Sequence, residues 1–314
     1  MRVVSVGNVN IDLLVYVDEF PEAGGRVEAR VLARSPGGAA ANYAVAAAKL
    51  GARAVLYGCV GSDEEGERLL KLLEEAGVDT SCVKRVEGQT GTAIVIVDSK
   101  GERTMIIHKG ANANLRKAVR EGRLPPTDWV HAASVPPDLA AEVFSEAKRL
   151  GALASYDPGG TYVRSGFDRI LEAVKLVDIF FLNEVEASVL ASSGAGNELE
   201  VLRRIVPIVV VKRGSRGSMA WVGEAFCEAE AFRVAAVDTT GAGDVFDAAF
   251  TLAVLLGLEC REALTFANAC AAIKVARRGA QSGPTLAEAL EFLEARGFAE
   301  LASLLCLLSE SFNR

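Results

Sequence analysis

The chain has 314 residues, 50% hydrophobic and 24% charged, which is ordinary for a globular protein and leaves room for one large or two moderate domains around a buried core. A formal net charge of −7 with no prominent Lys/Arg block argues against a nucleic-acid scaffold, so small-molecule partners are expected. No apolar run approaches membrane-spanning length and the N-terminus runs straight into a strand with no secretory leader, so a cytoplasmic protein with no membrane partner is expected.

Residues 3–7 are a short apolar run ending in glycine, the pattern of a buried parallel strand. Asn8, Asn10 and Asp12 follow at alternate positions and share one face in extended chain. Residues 13–17 and 27–32, separated by Pro21 and a Gly-Gly pair, read as strand, turn and strand. Pro36-Gly37-Gly38 leads into an Ala-rich helix, 39–50, stopped at Gly51. A strand at 54–60 precedes the helix 64–76, with Asp63 as its N-cap and Gly77 at its end. Residues 92–97 and 103–108 around Asp98-Ser99-Lys100-Gly101 give the clearest hairpin pattern.

From there the pattern is regular α/β, with strands at 129–133, 153–156, 179–182 and 208–212 and helices at 139–150, 166–176 and 184–191. Residues 222–232 read as a small antiparallel addition, and the last third as helices at 244–256, 261–276, 286–296 and 299–307. The fold class is therefore α/β, a mostly parallel sheet covered on both faces. The expected domains are residues 1–12, 35–89 and 109–314 as the α/β body, with 13–34 and 90–108 as an inserted β-lid. A lid with one exposed sheet face is expected to pair with a second copy, giving a homodimer. The six cysteines contain no CxxC pair and are expected to be reduced thiols, in neither a zinc cage nor a disulfide framework.

Asp238-Thr239-Thr240-Gly241-Ala242-Gly243-Asp244, followed by the apolar run 245–258, reads as a loop of small residues opening a helix. The amides of Gly241, Ala242 and Gly243 lack intrahelical partners at the positive end of the helix dipole, a place for an anion such as phosphate. Asp244 would be repelled by that anion, which is tolerable if it serves as a base taking a proton from an attacking hydroxyl. Read alone, these seven residues fit a closely packed helix start equally well. Gly37 and Gly38 stay open between a tight helix entry and close approach to a ligand, whereas Asn10 and Asp12 suit vicinal hydroxyls. His108 and His131 are assigned no chemistry. Arg26, Arg30, Arg34 and Arg103 read as a solvated lid face unless the substrate carries a phosphate.

With Gly37-Gly38-Ala39-Ala40-Ala41-Asn42 near the start and residues 238–251 near the end, the chain resembles the PfkB family of ATP-dependent sugar and nucleoside kinases, which includes ribokinase, from Gly7 to about Leu293. The resemblance implies a ribokinase-like, doubly wound α/β fold with a β-lid, ATP and Mg²⁺, and transfer of the γ-phosphate to a sugar hydroxyl. It implies that Asp244 is the catalytic base, that Gly241, Ala242 and Gly243 form the anion hole, and that Asn10, Asp12, Gly37, Gly38 and Asn42 hold the acceptor. Asn183 and Glu186 match the NxxE motif that tunes Mg²⁺ indirectly. Lys212, Gly214, Ser215 and Gly217 resemble the loop beside ATP, with Gly243 at the phosphates and Asn268 near the adenine. Asp238 and Thr240 resemble the monovalent-cation ligands of ribokinase, where K⁺ would sit.

The acceptor is less defined. Residues 90–93 and 108–113 resemble ribokinase, but Ala39 stands where ribokinase has a lysine and no acidic contact occurs near Ser134. Asp157-Pro158-Gly159 looks more like archaeal nucleoside kinases, and Arg26 keeps a sugar phosphate such as fructose 6-phosphate open. The alternatives are thus a sugar kinase, a nucleoside kinase and a phosphofructokinase. A methyltransferase or dehydrogenase loop is disfavoured because Val245 replaces the third glycine it would need, a P-loop is absent, and the intact Asp244 disfavours a non-catalytic sensor.

Overall fold

The computed structural model describes residues 1–100, 102–192 and 198–312, without the side chains of Arg103, Ser311 and Phe312. Gly101, in the expected hairpin turn, lies outside the described residues. In chain order, β1 (Arg2–Gly7), β2 (Asn10–Tyr16) and β3 (Val31–Gly37) lead to α1 (Ala39–Lys49), β4 (Arg53–Gly61), α2 (Glu64–Glu75), β5 (Val83–Val86), β6 (Gly91–Val97) and β7 (Arg103–His108). Next come α3 (Leu115–Glu121), β8 (Trp129–Ala133), α4 (Pro137–Arg149), β9 (Leu153–Asp157), α5 (Gly159–Val163), α6 (Phe167–Val174), β10 (Ile179–Asn183), α7 (Glu184–Ser192), α8 (Glu198–Ile205) and β11 (Ile208–Lys212). After β12 (Ser218–Val222) and β13 (Ala225–Ala229) come the helices α9 (Ala242–Leu255), α10 (Cys260–Val275), α11 (Leu286–Ala295) and α12 (Ala299–Phe312).

Nine strands form the main sheet in the order β13-β12-β11-β10-β9-β8-β1-β4-β5, parallel except for β12 and β13 at one edge. Alternation along each strand shows why its sequence is largely apolar. Val3, Ile179, Phe181 and Val210 pack toward α1, α9 and α10, whereas Val4, Val6, Phe180, Leu182, Val209 and Val211 pack toward α3, α4 and α6. Both faces are buried, so both residue parities are mostly apolar, with Ser5, His131 and Ser155 as buried polar exceptions. The carboxyl ends of these parallel strands converge on one crevice, where α/β proteins place their ligands.

The second sheet, β3-β2-β6-β7, pairs β2 antiparallel with β3 and parallel with β6. Its first hairpin differs from expectation: the strand expected at 27–32 sits at Val31–Gly37, pairing Asn10 with Gly37 and Tyr16 with Val31. Pro36 therefore lies within a strand, which is tolerated because β3 is an edge and needs donors on one side only. The short segments β5, α3 and α8 escape sequence reading because each is near or below the length that establishes periodicity.

A second correction concerns the cysteines. Cys227 on β13 and Cys260 at the start of α10 form a disulfide with Cα atoms 6.4 Å apart, whereas all six were expected to be reduced. Only the docking of α10 against β13 brings these distant residues within bridging range. Cys59, Cys82, Cys270 and Cys306 are free. No helix among the described residues is long and apolar enough to cross a membrane.

Candidate active site

Helix α9 begins at Gly241, whose φ of +77° is the left-handed conformation that glycine adopts without strain. A Cβ there would also lie 2.4 Å from the Ala280 carbonyl oxygen, so the turn can seat against residues 279–280 only with glycine at this position. Of the three amides expected to bind an anion, that of Ala242 already donates to Thr239 O at 3.2 Å. Gly243 faces the adjoining cleft, and with it the dipole of a fourteen-residue helix.

Asp244, in the first turn of α9, is partly exposed and accepts a 2.8 Å hydrogen bond from Asn42 Nδ2. Burial raises its pKa to about 6, with Asn42 opposing the rise, Asp157 adding to it, and Lys212 and Lys274 opposing it. A carboxyl poised there is ionised at neutral pH yet basic enough to take a proton. Asn42 Oδ1 is buried with no hydrogen-bond partner in the protein.

The other acceptor-side residues come together around this pair. Asn42 lies on the first turn of α1, its amide bonded to the carbonyl of the N-cap Gly38. Asp12 on β2 is buried, and burial raises its pKa to about 7, with Asp244 and then Asp238 adding repulsion. A Cβ on Gly37 would stand 2.2 Å from Asp12 Oδ2, so glycine at 37 makes the space for that carboxylate. Asn10 Oδ1 accepts from Asn112 Nδ2 at 2.8 Å, and Asn112 also bonds both the amide and the carbonyl of Val9, at 3.0 and 3.1 Å. Sequence reading quoted Asn112 within residues 108–113 without giving it this bracing role.

On the other side of Asp244 lies a cleft of about 580 Å³. All six residues expected beside ATP line it: Lys212, Gly214, Ser215, Gly217, Gly243 and Asn268. Its remaining wall is largely apolar, including Phe232, Val234, Phe246, Ala271, Ala272 and Val275, a surface suited to a planar base. Asn268 shapes this wall with its amide fully engaged, donating to the Ala229 and Glu230 carbonyls, both at 3.2 Å, and accepting from Ser218 Oγ. Lys212 is pinned beneath Gly243, its ammonium 2.7 Å from Asp157 and 2.8 Å from Asp247. Burial alone would lower its pKa, but the two carboxylates outweigh burial and keep it charged. Asp157 is held ionised by Lys212 against the effect of burial, whereas burial drives Asp247 upward. Sequence reading quoted Asp157 only within the 157–159 turn and did not single out Asp247, although Asp247 follows Asp244 at the i+3 spacing of one helix face.

Asn183 and Glu186 form a reciprocal cap: Asn183 N donates to Glu186 Oε2 at 2.8 Å and Glu186 N to Asn183 Oδ1 at 2.9 Å. Glu186 is buried, its pKa raised by burial and then by Asp157. Among the described residues no group of three or more His, Cys, Asp or Glu side chains could hold a metal ion. Asp238 Oδ1 accepts from Thr240 N at 2.9 Å and Oδ2 from Gly279 N at 2.8 Å, and its carbonyl accepts from the buried Lys274 ammonium at 2.6 Å. The Lys274 ammonium therefore lies against Asp238, one of the two residues expected to hold K⁺. His131 stacks on Tyr43 and contacts Ser155, and burial lowers its pKa to about 3, consistent with a structural role. Two of the lid arginines are paired, Arg30 with Asp18 and Arg34 with Glu65.

Residues 1–287 match the family described as pfkB family carbohydrate kinase. An ATP-dependent ribose-1-phosphate kinase of Halopiger xanaduensis is 37% identical over 94% of this chain and 99% of its own length. The ribokinase structure of Thermotoga maritima superposes with a TM-score of 0.82 at 32% identity, covering 94% of this chain and 99% of that one. The Methanocaldococcus jannaschii nucleoside kinase, described as an archaeal member of the ribokinase family, gives a TM-score of 0.83 at 26% identity over 94% and 98% of the two chains. The chain belongs to the pfkB family of carbohydrate kinases and has the ribokinase fold. It is an ATP-dependent sugar or nucleoside kinase.

Proposed function

We propose that the enzyme transfers the γ-phosphate of ATP to a hydroxyl of a ribosyl compound, with Asp244 as the general base. The observation that carries this reading is the position of Asp244 between two unlike compartments, the polar pocket of Asn10, Asp12 and Asn42 and the apolar cleft bounded by Gly243. An acceptor alcohol held by Asp12 gives its proton to Asp244. Its oxygen bonds the γ-phosphorus as the bond from that phosphorus to the β-phosphate oxygen breaks, and ADP leaves. The Gly243 amide and the α9 dipole take up charge on the migrating phosphoryl group.

Mg²⁺ fits as an ion carried on the nucleotide phosphates, because it keeps several waters and needs few protein ligands. Asn183 and Glu186 would hold its water shell, and bound there it would neutralise phosphate charge. The β2-β3-β6-β7 sheet serves as a lid over the acceptor. Leu32, Met105, Ile106 and Ile107 are more than half exposed on that sheet, an apolar surface that suits a homodimer, and light scattering is expected to return twice the chain mass.

Among ribosyl compounds, ribose 1-phosphate is favoured over free ribose. The 37% identical relative carries that activity in its name, and Ala39 stands where ribokinase has a lysine. The test is ADP release with ATP and Mg²⁺ over ribose, ribose 1-phosphate, nucleosides, fructose, fructose 6-phosphate and 2-keto-3-deoxygluconate. The highest kcat/KM is expected with ribose 1-phosphate. Turnover confined to hexoses would refute the ribosyl assignment.

A further inference from the structure

Beneath the turn that opens α9, two segments are stapled together. Val237 N and Asp238 N both donate to Val275 O, at 2.7 and 3.1 Å, and Gly279 N donates to Asp238 Oδ2 at 2.8 Å. The Asp238 and Arg277 carbonyl oxygens and the Asp238 carboxylate then face a common point, which is the arrangement that holds a small cation of unit charge. At that point is the ammonium of Lys274, from the last turn of α10, 2.6 Å from Asp238 O, 3.5 Å from Arg277 O and 3.9 Å from Asp238 Oδ2. Lys274 has no solvent exposure. A lysine is buried in this way only where oxygens and a counter-charge replace its water, and Asp238 supplies both.

We propose that the Lys274 ammonium is a tethered substitute for a monovalent activating cation, so that the phosphate-binding turn of this enzyme is assembled without K⁺. The proposal rests on the reading of residues 241–243 as that turn. Three N–H donors on a flexible stem satisfy the carbonyls as a desolvated ion would, and the covalent link removes the concentration dependence of a free ion. A K⁺ ion sharing the same oxygens would lie about 4 Å from the ammonium, and like charges that close reduce affinity by roughly 10³-fold even at an effective dielectric of about 20. The same positive charge reaches Asp244, where it opposes the upward shift that burial produces. The lysine is a positioning residue that acts through Asp238 and the turn, without touching substrate.

The decisive measurements are the thermal midpoint and the affinity for a non-hydrolysable ATP analogue, each in KCl and in tetramethylammonium chloride at equal ionic strength. For the wild-type protein the affinity is expected to agree within about twofold between the two salts, and the thermal midpoint to show no K⁺-specific rise. A K⁺-specific gain of roughly tenfold or more in nucleotide affinity, a size typical of linkage between two sites, would overturn the proposal. Lys274→Ala opens the cradle, and its nucleotide affinity is expected to fall roughly tenfold in tetramethylammonium and to recover with K⁺. A folded Lys274→Ala protein that ignores K⁺ would overturn the idea as well. If that variant does not fold, the wild-type salt comparison alone decides. Neither readout uses turnover, so an acceptor panel without a substrate leaves the result standing, whereas a wild-type protein that binds no nucleotide in either salt would count against the kinase site.

Discussion

On the acceptor side of Asp244 the walls are polar side chains held by one another: Asn112 braces Asn10, Gly37 makes room for Asp12, and Asn42 donates to Asp244. On the side proposed for the nucleotide they are mostly glycine, alanine, valine and phenylalanine, and of the polar side chains there, Lys212 and Asn268 are already engaged with protein partners. The contrast follows from what each side must bind. A sugar presents hydroxyls that only directed donors and acceptors distinguish, whereas a planar base and a phosphate chain are held by apolar contact, backbone amides and a helix dipole. Selectivity for the acceptor is therefore concentrated in a few side chains, and nucleotide affinity is spread over many small contacts.

That difference predicts a graded set of losses. The largest is expected at the boundary, where Asp244→Asn lowers kcat by about 10² to 10⁴, the usual cost of losing an essential base. Calorimetry should find its nucleotide affinity intact, and near-normal turnover would remove the central assignment. In the wild type, kcat is expected to fall as pH drops below about 6, because the base must be ionised and its pKa is raised to about 6, and the titration should be absent from the residual rate of Asp244→Asn. Next in size, Gly37→Ala drives a methyl group into the Asp12 carboxylate and is expected to raise the acceptor KM by roughly 10- to 100-fold, the cost of losing one or two charge-assisted hydrogen bonds. Its KM for ATP should stay within a few fold, and equal damage to both substrates would show that the two compartments are not independent. The smallest effect is expected from Asn268→Ala, which removes support for the β13 end without removing a ligand contact. A loss of about 1 kcal/mol in stability is expected, read as a lower thermal midpoint, with only a few-fold change in ATP affinity.

Much of this was legible in the residues. The turn at 241–243 follows from the local rule that small residues before an apolar run open a helix with free amides. The six residues that the family resemblance assigned to the ATP side line one cleft. The pairing of Asp157 and Asp247 with Lys212 was missed because it spans 55 and 35 positions in sequence. Asn112 was missed as a brace for the same reason, lying 102 positions from Asn10.

The sequence by itself determined the parallel strands, the helix starts and the glycine turn that opens α9, because side-chain periodicity, capping and glycine conformation act over a few neighbouring residues. Tertiary structure alone decided that Pro36 lies in an edge strand, that Cys227 meets Cys260 and that the Lys274 ammonium fills the cradle under Asp238. Each of those depends on which surfaces dock, and docking is set by the packing of whole helices and sheets, whose contacts have no fixed separation along the chain.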